Sequence, residues 1–285
     1  MSQSDRIQSD NSREIHTLSE SNRVSRIDKR FDLDLSNARF VNHLFTRLVA
    51  KDRRFVGVDF RYSIFDTCYI RSCVFDSCDF TGCRFVRTNL HGSSFSGCKF
   101  DYSDFERTIV DNDILDTGCP GHENLKMRFA RTLRMNFQQL GDARSVNKAI
   151  SVELQATEVY LHKAWSSNES YYRKKYAGWK RFREFLSWME FKALDFIWGN
   201  GESTFKLFRA TIITFMVMSI IDVVIFGDWQ HVDGYIKSLL EAPQVFLGTL
   251  SKKYYPSYYI TIILFVRLVI FGFFMSIIIK RFNRR

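Results

Sequence analysis

Residues 63–80 read SIFDTCYIRSCVFDSCDF, and the large apolar residues of this stretch stand five positions apart. The same spacing continues in both directions, from about residue 35 to residue 115. A period of five belongs neither to an α-helix, which repeats every 3.6 residues, nor to a single strand, which alternates every two. The pattern therefore predicts a repeat architecture over this part of the chain.

Each pentad has one large apolar residue, called the anchor below, and a mostly small residue two places before it. Only Ala50 is undersized among the anchors. The anchors are Leu35, Phe40, Phe45, Ala50, Phe55, Phe60, Phe65, Ile70, Phe75, Phe80, Phe85, Leu90, Phe95, Phe100, Phe105, Val110 and Leu115. The small residues are Ala38, Ser63, Cys68, Cys73, Cys78, Cys83, Thr88, Ser93, Cys98, Ser103 and Thr108.

This pattern resembles the pentapeptide-repeat family, whose members coil into a right-handed, quadrilateral β-helix. The resemblance implies that each anchor and its small partner point inward. At four pentads per coil, residues 31–118 are expected to form roughly four coils.

Most of the cysteines occupy the small inward position: Cys68, Cys73, Cys78, Cys83 and Cys98. A regular cysteine series can also indicate metal ligands or disulfides. Cysteines that follow one another in sequence would lie on adjacent faces of the coil, which does not suit a cross-linked framework. We therefore interpret them as small, poorly hydrated spacers between rings of phenylalanine.

Free thiols in this number favour a reducing compartment. Residues 1–30 are polar and contain no apolar signal segment, so we expect a flexible N-terminal lead and a coil in the cytoplasm.

The chain has a formal charge of +10, but acids and bases nearly cancel within the repeat. The basic excess lies in residues 126–192, around Lys206 and Arg209, and in residues 280–285. Cations that flank apolar segments are typical of the cytoplasmic side of a membrane protein. A near-neutral coil also makes a poor copy of DNA, which disfavours the gyrase inhibition known for acidic pentapeptide-repeat proteins. Because the basic residues flank apolar segments, a nucleic-acid partner is not expected either.

Two apolar stretches, 210–227 and 258–279, are long enough to cross a bilayer, the first with Phe205, Leu207 and Phe208 added. Either stretch alone could be the core helix of a soluble protein. Cations precede the first stretch and follow the second, and these two ends lie on the same side of a hairpin. We therefore predict a multi-pass hairpin in the bacterial inner membrane, with both termini cytoplasmic.

Each stretch carries one charge, Asp222 in the first and Arg267 in the second. Both lie thirteen residues from an inner cation, which places them at a common depth about 20 Å along the helices. Because charges within a bilayer are costly, we expect an ion pair between them, within or between subunits. The alternative is that one of them faces a water-filled path.

The segment of about 30 residues between the stretches predicts a re-entrant piece around Pro243, Phe246 and Gly248. Span, re-entrant helix and span together resemble the two-helix pore module of tetrameric cation channels. No TVGYG-like sequence follows Gly248, so carbonyl-ring selectivity for potassium is not expected.

Residues 119–203 predict a helical hairpin with a break at Gly141-Asp142, and then a third helix over residues 171–198 that mixes basic and aromatic residues. The third helix could bind single-stranded nucleic acid. Its position before an apolar span favours the anionic inner leaflet instead. This layout resembles bacterial membrane proteins that join pentapeptide repeats to an ion-channel-like C-terminus.

Residues 204–285 are accordingly predicted to form a pore domain with a basic tail. The leading hypothesis is an oligomeric channel of weak selectivity, with four copies favoured because two spans cannot enclose a pore alone. The predicted pore-lining residues are Thr261, Phe265, Leu268, Gly272, Ser276 and Ile279. The alternative is a membrane-anchored scaffold whose β-helix binds a protein partner or ligand.

The six histidines are scattered, none at metal-ligand spacing, and the sequence has no phosphate-binding loop. We therefore expect neither an enzyme nor a cofactor.

Overall fold

The five-residue repeat folds as short strands joined by tight turns. The computed structural model describes residues 23–227 and 231–282. Its contacts divide the chain into two units, Met1–Tyr160 and Leu161–Arg285. The strands of the first unit are β1 (Val24–Ile27), β2 (Arg30–Phe31), β3 (Leu35–Ser36), β4 (His43–Thr46), β5 (Val49–Lys51), β6 (Arg54–Val56), β7 (Ile64–Asp66), β8 (Tyr69–Arg71), β9 (Val74–Asp76), β10 (Arg84–Val86), β11 (Ser94–Ser96) and β12 (Asp104–Glu106).

Strands one turn apart pair in parallel, with Phe45 opposite Phe65 and Phe65 opposite Phe85. Each step of twenty residues is four pentads, so the solenoid has four sides. Three sides are the sheets β1-β4-β7-β10-β12, β3-β6-β9-β11 and β2-β5-β8, and isolated bridges such as Arg39 to Asp59 form the fourth. The prediction of a parallel β-solenoid of about four turns is confirmed.

The corners of the solenoid place the residue two after the anchor in the left-handed region. Gly82, for example, has φ 69°, and a Cβ there would lie 2.6 Å from the ring of Tyr62. Glycine satisfies both constraints, while Asn42 (φ 58°) adopts the same conformation where space allows.

The anchors fill the interior in columns that run along the solenoid. Phenylalanine rings stack within each column at centroid distances between 4.8 and 5.6 Å. The three aromatic columns are Phe45–Phe65–Phe85–Phe105, Phe55–Phe75–Phe95 and Phe40–Phe60–Phe80–Phe100. The fourth side carries the aliphatic anchors Ala50, Ile70, Leu90 and Val110, all buried.

The solenoid begins earlier than expected, because β1 pairs with β4 from Val24 onward. The expectation of a flexible lead is therefore wrong for residues 23–30, and residues 1–22 lie outside the described residues. The first turn is one residue short: Phe31, and not residue 30, lies opposite Ala50. Backbone pairing continues across this slip, but a strict count of five does not reveal it. The large Phe31 side chain also faces the one undersized anchor.

All six cysteines are free thiols, and Cys68, Cys73, Cys78 and Cys83 are buried. The thiol of Cys68 donates to the carbonyl of Phe45, which lies one turn earlier, at 3.3 Å. Burial raises the pKa of Cys68 to about 11 and also raises the pKa of Cys83 and Cys73. These thiols are protonated spacers at neutral pH, so they lack the thiolate needed for reaction.

We expect Cys68, Cys73 and Cys83 to resist N-ethylmaleimide in the native protein at pH 8 and to react fully after unfolding. Cys119 is the internal control, because it is only half-buried and should be reached by the reagent first. Peptide mass spectrometry after timed labelling measures each site. Native labelling of Cys83 as fast as that of Cys119 would contradict the packed interior.

Three helices complete the first unit: α1 (Ile114–Thr117), α2 (Glu123–Gln139) and α3 (Ala143–Ser166), the last of which continues into the second unit. Leu115, counted among the anchors, is buried in α1 and not in a further turn of the solenoid. The chain turns at Gly141 (φ 74°) between α2 and α3, as the Gly-Asp pair predicts. Glu153 of α3 accepts a hydrogen bond from Arg131 of α2 at 2.9 Å and forms an ion pair with Arg134 at the same distance.

α2 seals the C-terminal end of the solenoid. Thr108 donates its backbone N–H to Asn136 Oδ1 and accepts from Asn136 Nδ2, both at 2.7 Å. The backbone N–H of Phe105 donates to Thr132 Oγ1 at 3.1 Å. These side chains take the place of a next strand, so the backbone groups they bind are not left for another chain.

The second unit is helical. Its elements are α4 (Ser170–Lys175), α5 (Trp179–Trp198), α6 (Thr204–Ile221), a π-helical turn (Asp222–Phe226), α7 (Val232–Leu247) and α8 (Ser257–Phe282). The single helix expected over residues 171–198 is wrong. It breaks before Gly178, whose φ of 56° does not belong to a right-handed helix.

Two helical stretches, Thr204–Phe226 and Ser257–Lys280, are long and apolar enough to cross a membrane. In the second stretch, only 11% of the most apolar 18-residue segment is buried within the chain. α7, which lies between them, is one continuous helix that includes Pro243.

Candidate functional site

The helix between the two candidate spans packs against both of them. Val245 and Phe246 are buried near the end of α7. They share one apolar cluster with Met218 of α6 and Ile263 of α8. The apolar end of α7 is therefore held between the spans.

α7 ends at Gly248, which has a left-handed conformation with φ 80°. A Cβ atom at Gly248 would lie 3.1 Å from both Nη atoms of Arg267. Arg267 follows Ser257 by ten residues, so the end of α7 lies about 15 Å along α8 from its start. Residues 249–256 then return to the start of α8 without regular structure. A helix that ends about midway along α8, followed by an irregular return, is compatible with the expected re-entrant segment, which stays a prediction.

Asp222 does not pair with Arg267 as expected. Its Oδ2 accepts from Lys252 Nζ at 2.5 Å and from Ser238 Oγ at 2.7 Å. Its Oδ1 accepts from Tyr255 Oη at 2.7 Å. The expected pair is therefore wrong within the chain, because the cation that reaches Asp222 comes from the segment between the spans.

The cause is the end of α6. The helix leaves its regular geometry at Asp222 and opens into the π-helical turn. The returning segment passes this turn and brings Lys252 and Tyr254 to the carboxylate. The side chains of Lys252 and Asp222 are 10% and 7% exposed, so the pair is almost fully removed from solvent.

Lys252 is held by two carboxylates, since Glu241 of α7 also lies 2.9 Å from its Nζ. Burial alone would lower the pKa of Lys252, but the hydrogen bonds to Asp222 and Glu241 outweigh it and raise that pKa. Burial raises the pKa of Tyr255, and the hydrogen bond to Asp222 adds to the effect. Lys252 is therefore a permanent cation that joins the returning segment to α6 and α7.

The six predicted pore-lining residues of α8 share one side of the helix, and all are exposed in the single chain: Thr261, Phe265, Leu268, Gly272, Ser276 and Ile279. A Cβ added at Gly272 would meet nothing within 4 Å. The opposite side of α8 carries the buried residues Ile263 and Ile277. Lining of a pore by the exposed side stays a prediction, since other exposed apolar residues of α8 would suit lipid equally well.

Side-chain contacts also join the other end of α8 to α5 and α6. The rings of Trp198 and Phe273 stack at 4.4 Å. Lys280 forms an ion pair with Glu202, and Lys206 donates to Asp195 at 2.7 Å. The predicted inner cations Lys280 and Lys206 are thus paired with acids of the same unit.

Sequence reasoning missed Ser238 and Lys252 as partners of Asp222, and Glu241 as the second partner of Lys252. Their separations from Asp222 along the chain follow no helical or strand period, so periodicity could not have found them. The sequence did contain one signal. Lys252 lies just before the second apolar stretch, and Asp222 lies near the end of the first, so both are close to the segment that connects the two stretches. In residues 23–227 and 231–282, no group of three potential metal ligands is placed to hold an ion.

The family model named pentapeptide repeats (8 copies) matches two overlapping segments of the solenoid, residues 54–92 and 73–111. Residues 54–111 are pentapeptide repeats. Parallel strand pairing continues beyond the matched residues to Val24 in one direction, with the one-residue slip at Phe31.

The solved structures of a pentapeptide-repeat protein and of a fluoroquinolone resistance protein are similar over part of the chain. Rfr23 from the cyanobacterium Cyanothece 51142 is 13% identical, with 31% of this chain and 80% of that chain covered and a TM-score of 0.22. A trypsin-treated form of QnrB1, a plasmid-mediated fluoroquinolone resistance protein, is 12% identical, with 31% and 63% covered and a TM-score of 0.20. The comparison with curated proteins found no match.

Proposed function

We propose that the protein is an oligomeric ion channel of weak selectivity, with a pentapeptide-repeat domain that assembles or gates it. The observation that carries the proposal is the contact of Gly248 with Arg267, which places the end of α7 halfway along the second candidate span. An anchor needs two spans only. A re-entrant helix is costly in a bilayer unless protein or water covers its backbone, as in a pore.

The proposed location is the bacterial inner membrane, with both termini in the cytoplasm. Paired cations at one end of α6 and α8 fit the cytoplasmic side, and Tyr254, Tyr255 and Tyr258 at the other end fit the opposite interface. Four copies are favoured, because the exposed side of α8 needs partners to enclose water.

α5 fits a membrane surface in this arrangement. Its exposed apolar residues recur at helical spacing: Trp179, Phe182, Leu186, Met189 and Phe196. Lys180, Arg181, Arg183 and Lys192 lie on the same helix. We therefore propose that α5 lies on anionic lipid of the inner leaflet.

The alternative function is a membrane-anchored scaffold. It is favoured by the outer surface of the solenoid, which exposes Tyr62, Tyr69, Val74, Tyr102 and Ile109. Exposed aromatic residues are common where proteins bind one another. In this case the helices of the second unit would serve as an anchor, and no current would be expected.

A matched pair of cysteine variants tests the channel. In a background with serine at Cys98 and Cys119, Ser276→Cys should react with a charged thiol reagent from the cytoplasmic side and change the current in planar bilayers. Ile277→Cys should not react, because Ile277 is 5% exposed and faces the other helices. Equal reaction at both sites, or no current at any voltage, would leave the scaffold as the function.

The same recordings measure selectivity. Residues 249–253 read TLSKK and contain no carbonyl filter sequence, so currents carried by sodium and potassium should be similar. A strong preference for potassium would contradict the proposed weak selectivity.

A further inference from the structure

The second unit contains an apolar cleft, one wall of which includes Leu268 of the predicted pore lining. Its volume is about 710 Å³, and α6, α7 and α8 all contribute to its walls. Most of the lining is apolar and includes Phe205, Phe208, Leu268 and Phe271. Arg267 is the one charged residue among those that line it.

Arg267 has no anion in the part of the chain that the structure describes. Its Nε is buried without a hydrogen-bond partner, and its Nη atoms lie against Gly248. The end of the α7 dipole offers only a partial negative charge there. A guanidinium inside an apolar region without a carboxylate or phosphate is costly.

The neighbouring carboxylates already hold other cations. Asp222 and Glu241 both hold Lys252. Glu202 pairs with Lys280, and Asp195 pairs with Lys206. These four carboxylates are therefore already engaged, and a bound anion is the simplest partner for Arg267.

We propose that the cleft binds the anion of a long-chain fatty acid. The carboxylate accepts hydrogen bonds from the Arg267 guanidinium, which matches its two oxygens. The acyl chain lies along Leu268, Phe271 and Phe274. The cleft volume falls within the range of small-molecule sites, about 300–1,000 Å³.

Depth favours a fatty acid over a phospholipid. Arg267 lies thirteen residues before Lys280, which is about 20 Å along the helix from the inner cations. A phospholipid headgroup belongs at the membrane surface and carries further polar groups that the cleft does not match. A carboxylate has a single charge and no other polar group. The inference does not depend on ion conduction by the protein.

Equilibrium binding of radiolabelled palmitate to the full-length protein, purified in uncharged detergent, tests the proposal. Arg267→Gln should weaken binding about ten- to a hundred-fold, as expected when a hydrogen bond between charged groups is lost. Arg267→Lys should bind palmitate with an affinity between those of the wild type and Arg267→Gln, because lysine keeps the charge but not the paired donors. Arg209→Gln is the matched control and should bind as the wild type, since Arg209 lies over the ring of Phe196.

Two measurements do not require an Arg267 variant to fold. Methyl palmitate, which has no charge, should fail to compete with palmitate in the wild type. Leu268→Trp should fill the cleft and abolish binding. Equal competition by the methyl ester, or unchanged binding by either variant, overturns the proposal.

Two further outcomes also overturn it, in favour of other occupants. Binding of dioleoylphosphatidylglycerol to the protein, with no binding of palmitate, would indicate that the cleft holds a phospholipid. Disulfide cross-linking between copies of a Leu268→Cys variant, at a rate that palmitate does not change, would indicate that a second copy covers the cleft.

Discussion

Lys252→Met should destabilise the second unit by about 3–5 kcal/mol, the usual cost when one partner of a buried ion pair is removed. The change leaves Asp222, whose side chain is 7% exposed, without its cation. It also frees the second carboxylate, that of Glu241. Unfolding of the purified protein in detergent, followed through tryptophan fluorescence, measures the loss because every tryptophan lies in this unit.

The neighbouring residue provides the control. Lys253 is exposed, and Lys253→Met should change the unfolding free energy by less than about 0.5 kcal/mol. Adding Asp222→Asn to Lys252→Met should recover part of the loss, since the buried charge is removed. Asp222→Asn and Arg267→Gln should be additive, as expected for residues that do not interact. A strong coupling energy between the two substitutions would indicate that Asp222 and Arg267 do pair, as the sequence predicted.

Phe80→Ala should cost about 3–5 kcal/mol, the range measured for buried aromatic residues. Phe80 is 1% exposed, and its ring stacks between those of Phe60 and Phe100 at 5.2 and 5.0 Å. Parallel pairing on every side keeps the solenoid from collapsing into the space left behind. Urea unfolding of the full-length protein, followed by circular dichroism at a strand wavelength, measures the effect.

Val74→Ala is the matched control on the outer surface, because Val74 is 42% exposed in a strand of the same solenoid. It should change the unfolding free energy by less than about 0.5 kcal/mol. A cost below about 1 kcal/mol for Phe80→Ala would show that the columns are loosely packed.

The solenoid could be predicted from sequence because every pentad repeats the same local requirement. A single anchor such as Phe75 does not indicate a fold. Many anchors at a constant spacing of five residues exclude both a helix and a simple strand. The hairpin was predictable for a similar reason, since Gly141 interrupts a helical period. The start of the solenoid was not, because the slip at Phe31 breaks the count while backbone pairing continues.

The partner of Asp222 could not be predicted from depth along two helices. That reasoning assumed that both helices stay regular and that only residues within them are available. The helix opens at Asp222, and the chain between the spans returns beside it with Lys252. The break before Gly178 was missed for a simpler reason: basic and aromatic residues continue on both sides of a single glycine.

The contact of Asn136 with Thr108 makes α2 a stop for the solenoid. The helix, and not the number of pentads, determines where the stack of turns ends. Insertion of a complete turn of twenty residues would return the last strand to the same side and present it to α2 unchanged. Insertion of a single pentad between Thr108 and α2 would rotate the last strand by a quarter of a turn relative to α2 and leave Asn136 facing the wrong side. An insertion before the last turn would carry that strand and α2 together and leave this contact unchanged.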